Sequence, residues 1–323
     1  MSAQPTQEKP RIPFLGEGEV VVDVRGISLW YGPVIGINNI SVQLGKGVIG
    51  LLGPNGAGKS TFMKCMTGQL QPKTGRVTIG GQPVWNNASV FAKLGLVPEQ
   101  DAFYEEMSGL EFVTYLTRLQ GFDAKTAKEL ALEAVETVSM TDKMDQRIRE
   151  YSKGMRQRIK IAQALAHKPD VLFMDEPLTG TDPVGRRYII DLIRRMGEQG
   201  KTILVSSHVL NEVEQMTTNI LLINKGRLLA DGNVYRIREM IDEQPHTIYI
   251  GCAEPRRLAS LLLAHEDILQ VRFDEEAGLE IKTHQPDACY TRIPKVALEN
   301  NIRIERIHSP DNNLMAVFKY LVG

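Results

Sequence analysis

Glycines closed by a lysine and two hydroxyl residues, Gly53-Pro54-Asn55-Gly56-Ala57-Gly58-Lys59-Ser60-Thr61, fit the spacing G-x-x-x-x-G-K-[ST]. That spacing suits the β- and γ-phosphates of a nucleotide. Glycines let backbone N–H groups wrap an anion with no Cβ in the way. The helix that follows turns its positive end toward the same anion. Lys59 has the length to reach two phosphates, and the Ser60 hydroxyl can ligate Mg²⁺. A second cluster answers the first: an apolar run, Val171 to Met174, ends in Asp175-Glu176. Asp175 is suited to hold Mg²⁺ through water. Glu176, one residue further, is placed to orient or deprotonate an attacking water. Together these residues are equipped for hydrolysis of a nucleoside triphosphate.

The elements that must position them follow from periodicity. Val20, Val22 and Val24 alternate with other residues, as do Ile40, Val42 and Leu44, and both stretches read as strands. Val48 to Leu52 reads as a short buried strand that feeds the glycine loop and then an apolar helix. From about Tyr104 to Arg158 the pattern is helical. Ser108 with Glu111 is a capping box, Phe112, Leu116 and Leu119 form one stripe, and Leu130, Ala134, Val135 and Val138 form another. Val171 to Met174 and Thr202 to Val205 are two more buried strands, separated by a helix opening at Asp182-Pro183. Strands alternating with helices predict an α/β core with a parallel sheet, interrupted by a helical subdomain at about 101–158.

After Asp242 the pattern changes to a predicted βαββαβ order. Its elements are Thr247 to Gly251, a helix Glu254 to His265, and strands Leu269 to Phe273 and Leu279 to Lys282 turning at Glu275 to Gly278. A helix Ala288 to Asn300, a strand Ile302 to Ile307 and a last helix Asn313 to Val322 complete it. That order suits a small ferredoxin-like α+β domain. The expected organisation is a disordered polar tail at 1–18, a nucleotide-binding domain at 19–242 and an accessory domain at 243–323.

Composition bounds the setting. With 323 residues, 42% of them hydrophobic, the chain can build a large core. A formal net charge of -1 supplies no basic field for nucleic acid, so none is expected as a partner. Cys65, Cys252 and Cys289 suggest no disulfide framework or CxxC metal site and fit a reducing cytosol. A membrane span needs ~20 mostly apolar residues, whereas the longest unbroken apolar run is Leu314 to Phe318. The first residues lack the apolar region of a secretory signal. If the protein works on a membrane, another chain must supply the membrane part.

Over roughly Val20 to Met240 the chain resembles the ABC ATPase family, with Gly53 to Ser60 as Walker A and Val171 to Glu176 as Walker B. Tyr151-Ser152-Lys153-Gly154-Met155-Arg156-Gln157-Arg158 resembles the family signature LSGGQ just before the Walker B strand. Ser152 and Gly154 match it, while Tyr151, Lys153 and Met155 replace Leu, Gly and Gln. The resemblance implies that these residues meet the γ-phosphate of ATP held by another subunit. Lys153 either adds charge there or is a solvated lysine. His208 resembles the switch histidine that bonds the γ-phosphate. Asp182 resembles the D-loop aspartate that couples two sites, with Thr181 in place of the usual leucine. Tyr31 resembles the aromatic that stacks on adenine, with Trp30 as the alternative. Alignment on Pro98 puts Glu99 where the family has its Q-loop glutamine, with Gln100 one position late, and either can fill the role.

The implied fold is a P-loop NTPase: a RecA-like core plus antiparallel β and helical subdomains. The implied cofactors are ATP and Mg²⁺. The implied assembly is a head-to-tail homodimer, or a heterodimer with another ABC ATPase. It docks an integral membrane permease through the helical insert and Q-loop at the inner face of the cell membrane. One ATPase domain with a short C-terminal domain resembles the export-type subunits whose permease is a separate chain. Two other classes are a soluble ABC protein acting on ribosomes or DNA, which typically carries two ATPase domains or a long coiled-coil insert, and a non-catalytic nucleotide binder. Asn224-Lys225 partly matches the guanine-reading NKxD, but Gly226-Arg227 follows and no Asp stands fourth, so a strand-to-turn segment is expected.

Overall fold

The computed structural model describes residues 12–235, 245–274 and 278–309. They fall into two compact units, divided between Gly232 and Asn233. The boundary expected at 242/243 lies outside the described residues.

The first unit opens with β1 (Phe14–Leu15), β2 (Glu17–Tyr31) and β3 (Val34–Leu52), followed by α1 (Lys59–Met66), β4 (Thr74–Ile79), β5 (Gln82–Pro83), α2 (Ala88–Phe91) and β6 (Leu94–Val97). The helical insert holds α3 (Gly109–Leu119) and α4 (Ala124–Thr137), and α5 (Lys153–Leu165) leads back to the sheet. Then come β7 (Val171–Asp175), α6 (Pro183–Glu198), β8 (Thr202–Ser207), α7 (Leu210–Glu214), β9 (Asn219–Asn224) and β10 (Arg227–Asn233). The strand order is β5-β4-β2-β3-β8-β7-β6, with β9 also on β3 and β10 on β9.

β3 belongs to both halves of this curled sheet. Its first part pairs antiparallel with β2, and from Gly47 onward it pairs parallel with β8. The Ile40–Leu44 and Val48–Leu52 stretches, expected as separate strands, are therefore one. The chain bends between them at Gly47, whose φ of 106° only glycine adopts without strain. Every residue of β7 and β8 is buried, as in a parallel sheet covered on both faces. The carboxyl ends of β3, β7 and β8 carry the glycine loop, the acidic pair and His208, the usual place for a ligand in an open α/β sheet.

The polar tail expected at 1–18 is corrected in part. Phe14 and Leu15 pair parallel with β3, and β2 begins at Glu17. Leu15 is only 2% exposed, so this short apolar pair follows burial rather than the polarity around it. The capping box at the start of α3 forms as the spacing predicts: Glu111 N–H donates to Ser108 Oγ, and Ser108 N–H donates to Glu111 Oε2. Asn224-Lys225 is the end of β9 and a turn, with Lys225 in the left-handed region at φ 47°.

The second unit contains β11 (His246–Cys252), α8 (Pro255–Leu262), β12 (Ile268–Asp274), β13 (Gly278–Thr283), α9 (Pro286–Glu299) and β14 (Ile304–His308). Its antiparallel sheet runs β12-β13-β11-β14, the ferredoxin-like arrangement of a βαββαβ chain. Ile248, Ile250, Leu258, Leu262, Leu279, Ile281 and Ile293 form its core. The expected helix Asn313 to Val322, and most of the turn Glu275 to Gly278, lie outside the described residues.

Candidate active site

The loop between β3 and α1 is shaped by what a side chain would strike. A Cβ on Gly53 would lie 2.2 Å from Ile223 O, and one on Gly58 would lie 2.5 Å from Gly36 O. Gly58 also has φ 105° as the residue that starts α1, so both space and conformation require glycine there. The loop closes on itself through Ala57 N–H to Pro54 O at 3.1 Å and is tied to the β9–β10 turn through Gly226 N–H to Ala57 O at 2.9 Å. Lys59 is 7% exposed. Its Nζ donates to Gly53 O at 2.7 Å and lies 3.8 Å from Glu176 Oε1. The ammonium is thus held between the loop and the acidic pair.

Asp175 ends β7, and Glu176 follows it in the left-handed region at φ 50°, a costly conformation for a residue with a Cβ. Register puts Ser206 of β8 opposite Asp175. The fully buried Ser206 hydroxyl accepts from Glu176 N–H at 2.9 Å and donates to Asp175 Oδ1 at 2.5 Å. One side chain therefore fixes the backbone of one carboxylate and the side chain of the other. Glu176 Oε2 meets His208 Nδ1 at 2.8 Å. Ser207 Oγ donates to Glu212 Oε2 at 3.0 Å, and Glu212 Oε1 lies 3.3 Å from Arg186 Nε, which joins the segment before His208 to α6.

Ser206→Ala should leave a buried N–H without an acceptor and Asp175 without its donor. It is expected to lower stability by about 1–3 kcal/mol and to raise the Mg²⁺ concentration needed for half-maximal activity. Ser206→Thr, which keeps the hydroxyl, should recover both. An alanine variant with an unchanged urea midpoint and Mg²⁺ dependence would show that the two bonds carry nothing.

Tyr31, residues 54–61, Glu99 and Glu176 share a cavity of about 420 Å³. Tyr31 is half-exposed and its hydroxyl lies 3.3 Å from Thr61 Oγ1. Val34 and Ile35, exposed at the hairpin tip, add apolar wall. Trp30 and Gln100 are not among the lining residues, which favours Tyr31 and Glu99 of the two open pairs. Ser60 and Asp175 offer hard oxygen donors of the kind Mg²⁺ takes. Among the described residues no group of three or more His, Cys, Asp or Glu could hold a metal. Mg²⁺ here would therefore share its coordination with phosphate oxygens and water, as it usually does beside one or two carboxylates.

The signature residues lie elsewhere. Ser152 caps α5, accepting from Met155 N–H at 3.3 Å. Lys153 is exposed with its stem against Gly180, where a Cβ would come within 3.0 Å of Lys153 Cδ. Tyr151 is buried and its hydroxyl donates to Lys143 O at 2.6 Å. Gly109 makes room for that ring, because a Cβ there would lie 2.3 Å from the Tyr151 hydroxyl. Tyrosine in place of the signature leucine thus anchors the start of α5 to the helical insert. Asp182 caps α6 through Gly185 N–H at 2.6 Å. None of Ser152, Lys153, Gly154, Met155 or Asp182 lines the cavity.

Residues 37–179 match the family model described as ABC transporter. The Linearmycin resistance ATP-binding protein LnrL of Bacillus subtilis (strain 168) is 31% identical over 307 residues, 94% of this chain and 98% of that protein. The chain belongs to the ABC transporter ATP-binding proteins. The Nod factor export ATP-binding protein I of Rhizobium sp. (strain N33) is 33% identical over 311 residues, with 94% and 98% of the two chains covered. Among solved structures, the dimeric structure of MJ0796, a bacterial ABC transporter cassette, superposes with a TM-score of 0.61 at 21% identity, covering 66% of this chain and 98% of that one.

In this ABC ATPase several residues that support the site escape a reading by motif. Ser206 sits in Val205-Ser206-Ser207-His208, and only strand register reveals which carboxylate it meets. Lys160, Gln163 and His167 follow the signature on one face of α5 and just beyond it. Gln163 Nε2–H donates to Leu96 O at 2.8 Å, and His167 Nε2–H to Leu94 O at 3.0 Å. Burial holds the His167 imidazole below its ordinary pKa, consistent with a neutral ring. Lys160 reaches the segment that carries Glu99.

Proposed function

We propose that this chain pairs head to tail, with a second copy or with another ABC ATPase, and that closure over two Mg·ATP powers export through a separate permease. The observation that carries the reading is the division of labour within one chain. Residues 54–61, Glu99 and Glu176 line one cavity, while Ser152 to Met155 begin α5 outside it. A complete site then needs the signature of a second chain. MJ0796 is described as dimeric, and the named relatives are described as resistance and export proteins.

In the closed dimer Lys59 and the loop N–H groups would hold the β- and γ-phosphates and the α1 N-terminus would face the anion. Ser60 and Asp175 would hold Mg²⁺, which supplies charge neutralisation to the triphosphate. Glu176 would take the proton of the attacking water, oriented by His208. Tyr31 would stack on adenine, Glu99 would contact the metal or water, and Asp182 would face the partner's site. Preorganised positive charge, present before the reaction starts, lowers the barrier.

For the permease we propose the apolar groove beside the Q-loop, about 420 Å³ in volume and lined by Leu94, Leu96, Phe103, Phe112 and Leu116. Its size and walls suit the apolar face of an amphipathic helix. No described helix is long and apolar enough to cross a membrane. A permease seated here would hold the chain at the inner face of the cell membrane.

The test is capture of the tagged chain from detergent-solubilised membranes. A polytopic permease recovered in near-equal amount supports export. Ribosomal proteins, or nothing from the membrane, would overturn it. Ala102, exposed on the groove wall, gives a sharper version. Ala102→Arg is expected to cut permease recovery at least about tenfold, a loss of ~1.4 kcal/mol, while the melting shift with Mg·ATP is kept. Undiminished recovery would place the permease on another surface.

A further inference from the structure

β6 stands at one end of the sheet's strand order, and among the described residues its outer edge is met by side chains of α5 and of His167 just beyond it rather than by another strand. Alternate carbonyls of a strand face the same edge. Lys93 O turns inward and accepts from Asp170 and Val171 N–H. Leu94 O, Leu96 O and Pro98 O turn outward and are met in order by His167, Gln163 and Lys160. The first two contacts lie on the strand. The third lies past its end, where the chain becomes the Q-loop.

There the side chain is charged and its partners are complete. Lys160 is 3% exposed. Its ammonium has three N–H donors, and three oxygens surround it: Pro98 O at 3.2 Å, Glu99 O at 3.1 Å and Asp101 Oδ1 at 2.9 Å. The Asp101 carboxylate supplies the counter-charge that a buried ammonium requires. Glu99, whose backbone is gripped in this way, is the Q-loop residue that lines the nucleotide cavity.

We propose that Lys160 is a positioning residue of the ATPase. Its ammonium locks the start of the Q-loop to α5 and so sets where Glu99 stands in the cavity. Lys160 lies two helical turns beyond the Ser152 cap, about 12 Å along the axis. A helix moves as a unit over that length. When the start of α5 engages the partner's nucleotide, the displacement reaches Glu99 beside the chain's own nucleotide. This last step rests on the head-to-tail reading, whereas the grip on Glu99 does not.

A double-mutant cycle on the full-length chain without permease tests the grip. Lys160→Met keeps most of the apolar stem and removes the ammonium, and Glu99→Ala removes the side chain that the grip positions. Each is expected to lower kcat about tenfold or more, since a misplacement of about 1 Å near a reacting centre has effects of this order. If Lys160 acts through Glu99, the double variant should lie within about twofold of Glu99→Ala alone. Gln163→Leu is the control: it removes a neighbouring contact on Leu96 O without touching Glu99, and its effect should multiply with Glu99→Ala. Multiplying effects for Lys160→Met, near-wild-type kcat in either single variant, or a Gln163→Leu variant that couples as strongly would each overturn the proposal. If Lys160→Met does not fold, Lys160→Gln, which also removes the charge, enters the same cycle and is judged by the same outcomes.

Discussion

Glu176→Gln is expected to lower steady-state ATP turnover by about 10²–10⁴-fold, the range that a positioned general base contributes, and to leave Mg·ATP binding in place. The substitution keeps size and shape while removing the proton acceptor. Its surroundings should hold. Ser206 fixes the Glu176 backbone N–H rather than its side chain, and the amide oxygen of glutamine can still accept from His208 Nδ1 at the position Glu176 Oε2 now fills. Nucleotide then binds, chains close, and reopening by hydrolysis fails. Phosphate release should fall to near background, and light scattering with Mg·ATP should report a persistent dimer. Turnover within about twofold of wild type would remove Glu176 from the role of base. Slow turnover without a dimer would keep the base and put the head-to-tail assembly in question.

What the sequence made legible follows the distance over which each feature is encoded. The phosphate loop is encoded in consecutive residues, so its glycines, Lys59 and the helix that follows can be read directly. The Ser108–Glu111 capping box and the caps at Ser152 and Asp182 are equally local. The βαββαβ order of the second unit comes from alternation and turn residues, which are local too. Features that depend on register are not written this way. Nothing near Ser206 says that it lies opposite Asp175, because that pairing is set by two parallel strands 31 residues apart in the chain. The Lys160, Gln163 and His167 face could equally have been a solvated helix side until β6 was placed beneath it. Ile40 to Leu44 and Val48 to Leu52 read as two strands, yet β3 runs through Gly45-Lys46-Gly47 and joins them. Phe14-Leu15 is too short for any period, and only the space beside β3 explains its strand.

Lys59→Met bears on how the loop would hold phosphate. The ammonium donates to Gly53 O at 2.7 Å and lies 3.8 Å from Glu176 Oε1. A buried cation stands between the loop and the Glu176 carboxylate, and a triphosphate would draw it off those oxygens. Each charge-assisted hydrogen bond to phosphate contributes about 1.5–3 kcal/mol. Losing one or two of them is expected to weaken Mg·ATP binding at least about 100-fold. Linkage makes this visible in a melting experiment. At 100 times the wild-type Kd, ligand stabilises the native state by about 2.7 kcal/mol, but after a 100-fold loss the same concentration supplies only about 0.4 kcal/mol. The ligand-free variant should also melt lower than wild type, because Gly53 O loses its donor and Glu176 its nearby cation. Lys59→Arg separates charge from shape: the charge stays, but the planar guanidinium is bulkier than the ammonium seated against Gly53 O. Partial recovery of ligand-free stability with little recovery of the Mg·ATP shift would assign phosphate binding to the compact geometry of the ammonium. A full Mg·ATP shift in Lys59→Met would mean that the loop N–H groups and the α1 N-terminus hold the phosphates by themselves.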